Sequence, residues 1–102
     1  MSFSEKIQAV MVNWNKEEFR KLHDPEFMFI RQTELITLDE WITNMEKYAM
    51  SGAYAKNMKG LRRTALVHEN RYVTEWRWEE GNELVTHVCM KKKGCAWRSI
   101  VY

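Results

Sequence analysis

Three histidines (His23, His68 and His87), two cysteines (Cys89 and Cys95) and a Glu75/Arg77 pair carry the side chains best suited to proton transfer, nucleophilic attack or metal ligation. His23 precedes Asp24, and an imidazole beside a carboxylate is the arrangement of an oriented general base. Both residues also stand just before Pro25, where a helix is expected to end and where such residues cap and solvate. His68 and His87 fall in strand-like segments, which predicts neutral imidazoles hydrogen-bonded in or beside the core. Glu75 and His87 are the candidate acid–base residues. The cysteines flank a lysine-rich turn, and a bridge between neighbouring strands there would be strained. No C-x-x-C spacing occurs and the histidines are scattered, so neither a metal site nor a cofactor is expected.

Elements must position these groups, and the periodicity locates them. Ile7, Val10, Met11 and Trp14 recur at helical spacing, with Ser2 or Ser4 available as a cap. Asn15 and Glu18 have the spacing of a capping box, which predicts a second helix over 16–22 with Phe19 and Leu22 buried. Residues 26–31 and 34–37 read as short strands. Thr37 and Glu40 open a third helix carrying Leu38, Trp41, Ile42, Met45 and Tyr48. Residues 51–60 read as a loop. The period then changes to two, predicting strands over 61–69, 71–79, 83–91 and 95–102. Helices followed by an antiparallel meander argue for one α+β domain over 1–102.

Composition bounds the function classes. The chain has 102 residues, 45% hydrophobic and 29% charged, with 13% aromatic residues that include five Trp. A net charge of +2 is too mild by itself to imply a nucleic-acid partner. The triplet Lys91-Lys92-Lys93 before Gly94 reads as a solvated turn. No apolar run approaches the roughly 18 residues of a membrane span, and the N-terminus lacks the pattern of a secretory signal. A cytoplasmic protein with reduced thiols is therefore expected.

The hairpin around Gly81-Asn82 poses one choice. Thr74, Trp76 and Trp78 share one face of the first strand, while Val73, Glu75, Arg77 and Glu79 share the other. An unbulged two-residue turn makes Glu75 face Val88, Trp76 face His87 and Arg77 face Thr86. On that register Glu75 and Arg77 are read as a polar patch on the inner face. Trp76, Trp78, Val85 and His87 then form an outer face too apolar for water, and so a dimer interface. A one-residue bulge would instead place the tryptophans in the core and leave Glu75 and Arg77 exposed.

The element order resembles the NTF2-like superfamily, in particular its SnoaL-like branch. The residues that carry the likeness are the Trp14 stripe, Asp24-Pro25-Glu26-Phe27 entering the first strand, Leu38-Asp39-Glu40-Trp41 opening the third helix, and the long hairpin ending in Lys93-Gly94. The resemblance implies a cone: a strongly curved sheet wrapped around helices, with a pocket at its open end, and commonly a homodimer through the outer sheet face. It spans ketosteroid isomerase, polyketide cyclases, dehydratases and hydrolases as well as binding modules. Ketosteroid isomerase chemistry needs a carboxylate base, a helix-one tyrosine and a sheet aspartate. Here those positions fall near Arg31, Trp14 and Thr86, and none can fill its role.

Trp14, Phe29, Arg31, Trp41, Tyr48, Arg77 and Thr86 are thus the expected pocket residues, with Tyr54 a further aromatic candidate. Arg31 could pair with Glu75 or hold an anionic ligand group. The resulting expectation is a dimeric domain binding a small apolar or aromatic molecule, with no membrane or nucleic-acid partner. A cyclase-, dehydratase- or isomerase-like enzyme, or a protein-interaction module, is the alternative.

Overall fold

Of the two possible caps, Ser2 starts the first helix: its Oγ accepts from Glu5 N–H and the Glu5 carboxylate accepts from Ser2 N–H. In the computed structural model this helix, α1, runs Phe3–Val12. Trp14 lies just beyond its Asn13 cap instead of on the helix itself. Asn15 Oδ1 accepts from Glu18 N–H at 3.1 Å and opens α2, Lys16–Lys21. Strand β1 (His23–Arg31) follows at once, earlier than its apolar run implied. Pro25 is tolerated because pairing is interrupted between His23 and Met28, where a missing N–H removes no ladder bond. The chain then forms β2 (Glu34–Thr37) and α3 (Leu38–Met50). At the start of α3 the Thr37 hydroxyl donates to the Glu40 carboxylate at 3.0 Å and caps no backbone N–H, so the expected capping box is half replaced.

Residues 1–54, 65–80 and 82–102 are described. Most of the expected 51–60 loop, the expected strand start at 61 and Gly81 lie outside them. Strands β3 (Ala65–Glu69), β4 (Val73–Glu80), β5 (Glu83–Lys92) and β6 (Cys95–Val101) complete a six-stranded sheet in the order β2-β1-β6-β5-β4-β3. The antiparallel meander is as expected, but β6 lies parallel to β1, so the sheet is mixed. Register shifts within β1–β6, β3–β4 and β5–β6 bend it.

The β4–β5 pairing is the unbulged one, with Trp76 opposite His87 and Arg77 opposite Thr86. Which face meets the helices is nonetheless opposite to the expectation drawn from that register. Thr74, Val85 and Cys89 are buried, and Trp76 and Trp78 pack against the core, while Arg77 is exposed. Burying two indole bodies outweighs burying Leu84, Val88 and Met90, and the opposite choice would have put Glu75, Arg77 and Glu79 into apolar surroundings. A sheet core of Phe27, Phe29, Leu38, Ile42 and Val101 joins a helix core of Val10, Met11 and Phe19, with Trp14 and Trp41 packed against both.

Candidate functional site

Two cross-strand rows build the concave face of the sheet. One runs Ile36–Phe29–Ser99–Cys89–Thr74, the other Glu34–Arg31–Val101–His87–Trp76. Helices α1 and α3 stand over these rows without filling the space between. A cavity of about 720 Å³ remains, walled by Phe29, Trp41, Trp76, Trp78 and His87 on one side and by Ile7, Met11, Met45, Tyr48 and Tyr54 on the other. That volume is ordinary for a small-molecule site.

Aromatic rings set its shape. Trp41 stacks on Phe29, with centroids 4.3 Å apart and planes 17° from parallel. Tyr48 and Tyr54 meet edge to face at 5.8 Å. Burial, reinforced by Tyr48, raises the Tyr54 hydroxyl above its ordinary pKa, so it stays protonated. His87 is ringed by Trp76, Trp78 and Phe29 at 5.1, 6.1 and 6.0 Å. Its Nε2 is buried and makes no hydrogen bond among the described residues. Burial pushes its pKa down to about 4, so the imidazole is neutral at physiological pH.

His23 has no dyad with Asp24. Its Nδ1–H donates to Phe19 O at 2.7 Å, since a carbonyl can only accept, and its ring stacks on Phe19 at 4.4 Å. Burial lowers its pKa to about 4 against the smaller opposing effect of that bond. Asp24 instead accepts from Glu26 N–H at 2.9 Å. His68 is exposed, with Nε2 near the Asn70 amide, and is not the core histidine expected. Cys89 and Cys95 are free thiols, and burial pushes that of Cys89 up to about 11.

Phe29, Arg31, Trp41 and Tyr48 therefore line the cavity, joined by Tyr54. Trp14 does not: its ring packs on Phe19 at 5.0 Å and its N–H donates to Glu46 at 2.9 Å. Arg77 and Thr86 turn to the outer face, where Glu75 pairs with Arg77 at 3.3 Å, so Glu75 is no cavity acid. Trp76, Trp78 and Val85, expected at an outer interface, lie on the inner face. Lys91, read as solvated, reaches the Asn70 carbonyl and lies over the Phe3 ring at 5.2 Å. The reading of the sequence also missed His23, Ser99 and Cys89 as wall residues. Alternation placed Cys89 beside His87, but only the face chosen by the tryptophans marks either as inward.

Among the described residues, the cavity wall holds one carboxylate, Glu34, exposed at the start of β2. No cluster of three or more His, Cys, Asp or Glu suited to a metal ion occurs among the described residues.

No protein-family model and no curated protein matches this sequence. Solved structures match over nearly its whole length. An NTF2-like protein of unknown function from Cytophaga hutchinsonii aligns with a TM-score of 0.65 at 11% identity, covering 98% of this chain and 85% of that one. A candidate polyketide cyclase from Sinorhizobium meliloti gives 0.62 at 8% identity, covering 98% and 93%. Another, from Streptomyces antibioticus, gives 0.61 at 10% identity, covering 100% and 91%. At these identities the shared property is the fold: the chain has the NTF2-like α+β cone, in the form also seen in SnoaL-like proteins.

Proposed function

We propose that this protein binds a small apolar or aromatic molecule in the mouth of its cone. The observation that carries this reading is the cavity of about 720 Å³ walled by aromatic rings from both sheet and helices. Flat rings already stacked or edged against one another present preformed surfaces for another flat ring, and little side-chain entropy is lost on binding. Titrating the protein with naphthalene tests it. Saturable quenching of tryptophan fluorescence and a rise in melting temperature with ligand concentration are expected. Absence of both defeats the reading.

A cyclase-like enzyme is the second reading, favoured by the neutral imidazole of His87 inside the cavity and by candidate cyclases of the same fold. Its test is exchange of the α-protons of 2-tetralone in D2O. Catalysed exchange lost in His87→Gln supports it, and exchange at the buffer rate rejects it.

Self-association through the convex face belongs to the same proposal. Leu35, Ile30, Ile100 and Val88 form an apolar row across β2, β1, β6 and β5, in place of the tryptophans expected there.

A further inference from the structure

His87 stands among aromatic rings on the cavity floor. Three rings surround its imidazole at 5.1 to 6.1 Å, and among the described residues its Nε2 has no hydrogen bond. Buried polar nitrogens are nearly always paired, so a bare one at a cavity wall points to a missing partner. The residue is half-buried and forms part of that wall, and a half-turn of the ring puts Nε2 where Cε1 stands and Nδ1 where Cδ2 stands.

We infer that the His87 imidazole is the polar anchor of this cavity and that its ligand class is the neutral, planar hydroxylated aromatics, of the phenol or naphthol type. The inference rests on the binding reading above and names the chemistry that the site recognises. A neutral imidazole offers one N–H and one lone pair, and a hydroxyl can serve either, whichever nitrogen carries the proton. A carbonyl could answer only the N–H. The ligand ring lies among Phe29, Trp76 and Trp78, which supply faces and edges; the two indoles can only donate, so the imidazole is the one group among these four that can also accept from the hydroxyl. Desolvation of the imidazole keeps it uncharged well below pH 7, which suits a neutral partner better than an anion.

The test compares 2-naphthol with naphthalene, which differ by the hydroxyl alone, on the intact protein at pH 7. Wild type is expected to bind 2-naphthol about five- to tenfold more tightly, the worth of one hydrogen bond to a buried neutral group. His87→Phe is expected to erase that advantage, and His87→Gln to restore part of it. Should the variants not fold, the wild type still decides. Its His87 imidazole 15N resonances should move on adding 2-naphthol far more than on adding naphthalene. Equal affinities with no distinctive 15N shift overturn the hydroxyl anchor and leave the binding reading standing. Failure of both probes to bind overturns the two together.

Discussion

At the scale of single residues, burial decides protonation more than neighbouring charge does. His23 and His87 both have their pKa lowered from 6.5 to about 4 with burial as the main cause. In each, folding favours the neutral form, so the unfolded chain takes up protons first as pH falls. The contribution of each is complete above pH 6.5, is lost between there and about pH 4, and changes no further below. Each imidazole accounts for about 3 kcal/mol across that window. Urea unfolding midpoints should therefore drop steeply from pH 6.5 to 4, and an NMR titration at pH 6 should find both rings neutral. Charged imidazoles at pH 6 would mean that they are more open to water than their packing indicates.

At the scale of elements, Glu69 ties the start of α1 to the sheet. Its carboxylate accepts from Ser4 N–H at 3.1 Å, Ser4 Oγ at 2.9 Å and Thr74 Oγ1 at 2.7 Å, and Ser4 and Thr74 are buried. Partial burial works against its ionisation, but these hydrogen bonds outweigh that and lower its pKa. Its contribution is thus present above the ordinary Glu range and is lost as pH falls through the lowered value. Glu69→Gln, which turns an amide N–H toward donors, should cost about 2 kcal/mol at pH 7 in chemical unfolding. A loss of a few tenths would show that α1 is held by packing alone. The β5–β6 turn offers the opposite experiment. Lys93 and Gly94 have φ of 53° and 80°, the left-handed pair of a two-residue hairpin. A Cβ at Gly94 would meet nothing within 4 Å, so Gly94→Ala is penalised by backbone conformation alone. It should destabilise by about 1 kcal/mol, whereas Lys93→Asn should stabilise by about 0.5 kcal/mol. Thermal melts of the two variants against wild type read both signs.

At the scale of the whole molecule, the concave and convex faces of the sheet divide the two proposed roles. Row Ile36–Phe29–Ser99–Cys89–Thr74 belongs to the cavity side; row Leu35–Ile30–Ile100–Val88 belongs to the outside, where Leu35 is exposed and Ile30, Ile100 and Val88 are half-buried. An apolar row of this kind, crossing four strands, is surface that association would cover. Sedimentation equilibrium should give a dimer for wild type and a monomer for Ile100→Asp, with naphthalene binding kept because that side chain faces away from the cavity. A wild-type monomer at all concentrations would remove the interface.

The sequence by itself determined the elements and several of their starts and turns. Asn15 with Glu18 and the Lys93-Gly94 turn act through neighbours only a few residues away, so their spacing alone specifies helix and hairpin, whereas the choice of Ser2 over Ser4 as the first cap came with the structure. Trp41 and Phe29 were legible as pocket wall because helical and strand periods plus the implied cone put them on inward faces. The side taken by Trp76 and Trp78 was not legible. Strict alternation fixes which residues of β4 and β5 move together, but both faces of that hairpin carry apolar side chains, and the pairing register is the same whichever face turns inward. Only the arrival of the helices, and the parallel docking of β6 on β1, chose between them. Packing large rings against distant elements decided it, and with it moved His87 to the cavity and Glu75, Arg77 and Thr86 to the surface.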